Sequence, residues 1–245
     1  MNITSDKITD YINGFYAPLD DDLAEFRKRN EEDRIPLILR ETETFLSFLL
    51  MLVKPKRILE IGTAYGYSAL FFAKKCPDAL ISTIDRNEHF IPVARENFDC
   101  RAEGGRIDFR TGDADAVLDE MILEMRGSAD PDLNKGFDFV FIDAGKSHYR
   151  EFFDRAEQIC APGAVIVCDN IFMRGWLVDR SFEGAKRHRT NVKYMRQFLD
   201  YINGRNDLTV SLLSSGDGLA VIKLSDQPMP QPGRQPDCQS EAERF

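Results

Sequence analysis

The stretch Lys56-Arg57-Ile58-Leu59-Glu60-Ile61-Gly62-Thr63-Ala64-Tyr65-Gly66-Tyr67-Ser68 decides the fold. A short, mostly apolar run ends in a glycine loop, and a helix-period stretch at 67–76 follows it. The same alternation continues downstream. Strand-like runs at 57–62, 80–85, 107–112, 137–143 and 164–169 are separated by helix-period stretches at 67–76, 87–98, 113–126 and 147–160. Strands alternating with helices imply right-handed crossovers and a parallel sheet covered on both faces, so the expected class is α/β.

On the amino-terminal side, residues 1–54 read as helical. Asp20, Asp21 and Asp22 give one helix an acidic start, and Pro36 is expected to open another whose apolar face includes Leu37, Phe45, Leu46, Leu49 and Leu50. On the carboxyl side a helix is expected at 191–203, then strands at 208–214 and 219–224 around Ser215-Gly216-Asp217-Gly218, a hairpin signal. The sheet should therefore finish with an antiparallel pair. Residues 226–245 hold Pro228, Pro230, Pro232 and Pro236 and few apolar side chains, the composition of a flexible tail. The expected organisation is a helical segment 1–54, a core 55–225 and a tail 226–245.

The 245 residues carry 41 acidic and 32 basic side chains, a net charge of −9. Spread evenly, that charge opposes wholesale binding to nucleic acid or an anionic membrane. The five cysteines show no CxxC spacing, which argues against a disulfide framework or a structural zinc site and for a reducing cytoplasm. No basic region followed by an apolar stretch opens the sequence, and the apolar run at 45–53 is too short to span a bilayer.

Polar residues recur where the parallel strands end. Glu60 precedes the glycines of the first loop, Asp85 closes the second strand, and Asp113-Ala114 follow the third. Glycines there let a ligand approach the backbone, and an acid at the second strand end suits ribose hydroxyls. Each Asp is also a good helix cap. Asp143 ends the fourth strand, and Asp169-Asn170 end the fifth. In an open parallel sheet these ends share one rim, so three oxygen ligands converge in a manner that suits Mg²⁺. Lys146 sits beside them as a candidate proton acceptor. His148 is nearby, but without a second His or Cys it does not make a zinc site.

LEIGTAYGYSAL, FIDAGKSHY and VCDNIFMRG resemble the cation-dependent class I O-methyltransferases, which include catechol and caffeoyl-CoA O-methyltransferases. The resemblance covers about 36–224 and rests on an E-x-G-x-x-x-G loop paired with IDAxK and DN. It implies a Rossmann-like, seven-stranded, mostly parallel sheet that ends in an antiparallel hairpin. It implies S-adenosylmethionine (SAM) and Mg²⁺ as cofactors. Glu60, Gly62 and Ser68 would surround the methionine part of SAM, Asp85 the ribose, and Asp113 with Ala114 the adenine. Asp143, Asp169 and Asn170 would ligate Mg²⁺, with Lys146 the general base and Asp143 its catalytic neighbour. The resemblance departs at Arg40-Glu41-Thr42-Glu43, where many relatives carry a glycine near the cofactor, so no contact is carried onto those positions.

Residues 171–205 carry eight basic side chains against three acidic, a net +5 that leaves −14 for the rest of the chain. That segment follows the ligands Asp169 and Asn170. It reads either as a solvated face or as a surface for an anionic acceptor. DNIFMRGWLV, DYIN and SSGDGLAVIK further resemble a bacterial branch that methylates 5-hydroxyuridine in tRNA, with Trp176 and Phe172 as candidate stacking groups. The expected acceptor is thus tRNA. The alternatives are a small catechol, phenylpropanoid or CoA ester, and a non-catalytic SAM-binding protein. A homodimer is expected, and no membrane partner.

Overall fold

The computed structural model describes residues 6–130, 135–178 and 187–227. Three helices come first: α1 (Asp6–Asn13), α2 (Asp21–Glu32) and α3 (Arg40–Val53). Asp20 caps α2 by accepting from the Leu23 amide at 2.8 Å, so the acidic start works as expected. Pro36 does not open a helix. Leu39 is still extended, and α3 begins only at Arg40. The Arg27 guanidinium takes the Ile38 carbonyl at 3.0 Å, which fixes this stretch as a strap rather than a first helical turn.

The strands β1 (Arg57–Ile61), β2 (Leu80–Asp85), β3 (Ile107–Thr111), β4 (Phe137–Ile142) and β5 (Cys160–Asp169) pair in parallel. Between and after them lie α4 (Tyr67–Lys75), α5 (Ile91–Asp99), α6 (Ala114–Gly127), α7 (Tyr149–Glu157) and α8 (Arg189–Asn203). The last strands, β6 (Thr209–Leu213) and β7 (Leu219–Lys223), run antiparallel, with β7 set against β5. The sheet has the seven strands, mostly parallel with a closing antiparallel pair, that were expected, in the order β3-β2-β1-β4-β5-β7-β6. The helix expected at 87–98 starts late, at Ile91, because Asn87 forms a side-chain turn with the His89 amide at 3.0 Å.

Two cores sandwich the sheet. Leu118, Phe153, Met195 and Phe198 of α6, α7 and α8 fill one face, and Leu23, Leu46, Leu70 and Phe72 of α2, α3 and α4 fill the other. The strand order reverses between β1 and β4. Outside the carboxyl ends of those strands an open α/β sheet leaves a crevice. No helix among the described residues is long and apolar enough to cross a membrane.

Candidate active site

The crevice is a cavity of about 480 Å³, within the range of roughly 300–1,000 Å³ usual for small-molecule pockets. Of the residues expected there, Gly62, Ser68, Asp85, Asp113, Ala114, Asp143, Lys146 and Asn170 line it. Glu60 and Asp169 do not. Both are buried, one layer behind the wall.

On the β1–β3 side, the strand end is built by close backbone approach. The Gly62 amide donates to the Ile84 carbonyl and the Asp143 amide to the Ile61 carbonyl, each at 2.9 Å. A Cβ on Gly62, at φ +109°, would lie 2.1 Å from the Asp143 carbonyl oxygen. Glycine is thus required there for β1 and β4 to converge, as well as for any ligand. Asp85 accepts the Ala64 amide on one oxygen and the Asn87 amide on the other, both at 2.8 Å. Its remaining lone pairs are available to a diol. Asp113 caps α6 through the Asp115 amide at 3.3 Å and pairs with Arg86 at 2.7 Å. That Arg86 bond holds the Asp113 carboxyl below the usual range. Its helix-cap reading is therefore realised, while it still borders the cavity.

Glu60 receives the Thr83 hydroxyl at 2.5 Å on one carboxylate oxygen, while the other has no hydrogen-bond partner. Burial pushes its carboxyl up to about 7, with the Ser68 and Thr83 hydroxyls pulling the other way.

On the β4–β5 side, Lys146 Nζ donates to Asp143 Oδ1 and to Tyr149 Oη, both at 2.7 Å. The Tyr149 hydroxyl in turn donates to the Asp169 carbonyl at 2.8 Å. Burial, aided by the Asp143 charge, raises Tyr149 well above an ordinary phenol, so it stays neutral. Asp169 Oδ1 accepts the Asn170 backbone and side-chain amides at 2.6 and 3.2 Å, and the buried Oδ2 has no partner. Burial and the nearby Asp143 charge raise the Asp169 carboxyl. A carboxylate oxygen stranded beside a second carboxylate and an amide fits a bound cation, which would reverse that shift. Among the described residues no three His, Cys, Asp or Glu side chains assemble as a metal site. The ligand set in question is two carboxylates with an amide, as oxygen-seeking Mg²⁺ accepts.

Several lining residues were not anticipated. Tyr65 and Phe90 meet edge-on at 5.4 Å, and His148 stacks on Phe152 at 5.8 Å. Pro36, Leu37 and Ile38 of the strap also border the cavity. Tyr149 was missed, although its place three residues after Lys146 in a new helix was a signal. The region of departure proves to be a support. Glu43 is buried behind the wall, where it pairs with Arg27 and accepts the Tyr67 hydroxyl at 2.8 Å.

The basic segment is only partly a surface. Arg196 is bound to the Leu177 carbonyl, and Arg205 to Glu157 at 2.7 Å and to Asp207. Arg174, Arg187, Arg189 and Lys193 are exposed, while Arg180 and Lys186 lie outside the described residues. Trp176 stacks on His188 at 4.4 Å, and Phe172 packs against the core.

Residues 17–224 match the O-methyltransferase family. The chain is 33% identical over 149 residues to the catechol O-methyltransferase of Niastella koreensis, covering 58% of this chain and 64% of that protein. It is 30% identical over 181 residues to caffeoyl-CoA O-methyltransferase 2 of Zea mays, covering 74% of this chain and 62% of that one. The matched region thus spans less than two thirds of either relative. The structure superposes on the O-methyltransferase TomG of Streptomyces achromogenes, solved with SAM, with a TM-score of 0.72 and 26% identity over 89% of this chain and 96% of that one. With its strand order, its rim of acidic strand ends and a match that runs from α2 to β7, the chain belongs to the O-methyltransferase family.

Proposed function

We propose that this chain transfers a methyl group from SAM to an acceptor hydroxyl that neighbours a second oxygen, with the help of a divalent cation, Mg²⁺ by preference. The observation that carries this reading is Lys146 Nζ at 2.7 Å from both Asp143 Oδ1 and Tyr149 Oη, beside the unpartnered Asp169 Oδ2. Asp143 and Tyr149 fix the position of Nζ as their donor, so that Lys146 would take up the acceptor's proton as base. Asp143, Asp169 and Asn170 would hold the cation, which when bound would supply positive charge beside the acceptor hydroxyl. SAM supplies an electrophilic methyl group. Asp85 and the aromatic wall of Tyr65 and Phe90 would hold the nucleoside end, and one crevice lined by both strand-end groups would bring donor and acceptor together. A non-catalytic SAM-binding protein would have no use for the Lys146–Asp143 pair.

The proposed acceptor is 5-hydroxyuridine in tRNA, whose 5-hydroxyl adjoins the 4-carbonyl. The exposed Arg174, Arg187, Arg189 and Lys193 support it as phosphate contacts. The similarity to catechol and caffeoyl-CoA enzymes supports the second reading, a small catechol-like acceptor. Methyl-labelled SAM with Mg²⁺, offered in parallel to tRNA from a methylation-deficient strain and to a catechol panel, separates them. Label in tRNA alone is the expected result, and label in catechols alone would overturn the tRNA assignment. The exposed Phe48, Met51 and Leu52 of α3 support the proposal of a homodimer.

A further inference from the structure

The loop after β5 is held in an unusual backbone. Asn170, Met173 and Arg174 have φ of +54°, +53° and +58°, a region that side chains other than glycine seldom occupy. Asn tolerates it, but Met173 and Arg174 do not favour it, so their surroundings must impose it. Those surroundings are the turn between β6 and β7. The Ile171 amide donates to the Gly218 carbonyl at 3.1 Å, and the Phe172 amide to the Asp217 carbonyl at 2.9 Å. The Arg174 amide donates to Asp217 Oδ1 at 2.5 Å. A Cβ on Gly218 would lie 2.1 Å from the Phe172 ring, so the two segments are in direct contact.

An aspartate in a hairpin turn ordinarily bonds its own backbone two residues on. Asp217 reaches instead across 43 positions of sequence to a loop whose first residue lines the cavity. Its carboxylate is close enough for the charges of Lys146 and Asp169 to act on it.

We propose that Asp217 is a positioning residue: its hydrogen bond to the Arg174 amide fixes the 170–175 loop and, through it, the Asn170 amide at the cation site. This rests on the cation-assisted reading above. Partners of this kind behind a metal ligand typically change metal affinity by about 10- to 100-fold when removed. Asp217→Ala should therefore weaken cation binding by about that factor while leaving the affinity for S-adenosylhomocysteine, whose proposed site is on the β1–β3 side, unchanged. Asp217→Asn keeps an oxygen at the Oδ1 position and should restore most of the binding.

The test is Mn²⁺ titration followed by electron paramagnetic resonance, with S-adenosylhomocysteine affinity by calorimetry and thermal melting on the same samples. The expected outcome is weak Mn²⁺ binding in Asp217→Ala, recovery in Asp217→Asn, and unchanged S-adenosylhomocysteine binding in both. Equal Mn²⁺ affinity in Asp217→Ala and the parent overturns the positioning role alone. So does Asp217→Asn as impaired as Asp217→Ala, or parallel loss of Mn²⁺ binding, S-adenosylhomocysteine binding and melting temperature, which marks general damage. A parent protein that binds no Mn²⁺ overturns the cation reading and this inference with it.

Discussion

The two halves of the crevice are built differently. On the β1–β3 side the positive-φ positions are mostly glycine, at 62, 66 and 112, with Ala64 the exception. The carboxylates that line the crevice there are already in use, Asp85 on two backbone amides and Asp113 on a helix start and Arg86, while Glu60 behind them keeps one oxygen without a partner. On the β4–β5 side Asn170, Met173 and Arg174 take left-handed backbone, which Asn tolerates and which costs the other two about 1–2 kcal/mol each. There Asp169 keeps a buried oxygen without a partner. The proposed binding half and the proposed reacting half thus each keep one buried carboxylate oxygen without a partner, on Glu60 and on Asp169. They differ in where left-handed backbone falls on residues other than glycine, at Ala64 alone on one side and at Asn170, Met173 and Arg174 on the other.

The largest effects should come from the reacting half. Asp143→Ala or Asp169→Ala should abolish cation-dependent methyl transfer in a protein that still folds and still binds S-adenosylhomocysteine. Calorimetry and circular dichroism alongside the transfer assay check this. Lys146→Ala should lower kcat by about 10²–10⁴-fold, the usual contribution of a positioned base, with little change in S-adenosylhomocysteine affinity. An equal fall in affinity would move Lys146 out of the role of base.

The binding half should respond less, and in a different quantity. Asp85→Ala should weaken S-adenosylhomocysteine by roughly tenfold or more, the worth of a charged hydrogen bond, while Mn²⁺ binding is retained. Glu60 adds a pH signature. Its carboxyl is raised to about 7 in the folded state, against about 4.3 unfolded. Between those values the folded chain holds a proton that the unfolded chain has released, so the contribution of Glu60 to stability falls as pH rises from about 4.3 toward 7. Glu60→Gln should flatten that part of the melting profile. If the two proteins show the same pH dependence, Glu60 is ionised throughout.

The smallest effect is expected at the rim. Charge reversal at Arg187 and Arg189 should weaken tRNA binding and reduce the slope of log affinity against log salt. An unchanged slope would favour the small acceptor.

The binding half was legible in the sequence because its geometry is local. Strand, glycine loop and helix follow one another between Arg57 and Lys75, and Asp85 and Asp113 stand at the next strand ends. On the other side the sequence offered only the proposed ligands and base. Tyr149 reads as an ordinary core aromatic until the fold sets its hydroxyl between Lys146 and the Asp169 carbonyl. Asp217 reads as a turn former because the amide it holds lies far away in sequence. Pro36 misled in the other direction. A helix start was reasonable from its type, but Arg27 takes the Ile38 carbonyl and keeps the strap extended. The +5 segment was likewise overcounted as surface, since Arg196 and Arg205 spend their charge inside the fold.

The central claim, that a cation at Asp143, Asp169 and Asn170 assists methyl transfer with Lys146 as base, is tested most directly by one assay. Transfer of label from SAM to the accepted substrate is followed with Mg²⁺, then with excess chelator, then with Mg²⁺ restored. Loss of transfer in chelator and its return on re-addition is the predicted result. Full transfer in excess chelator would contradict it.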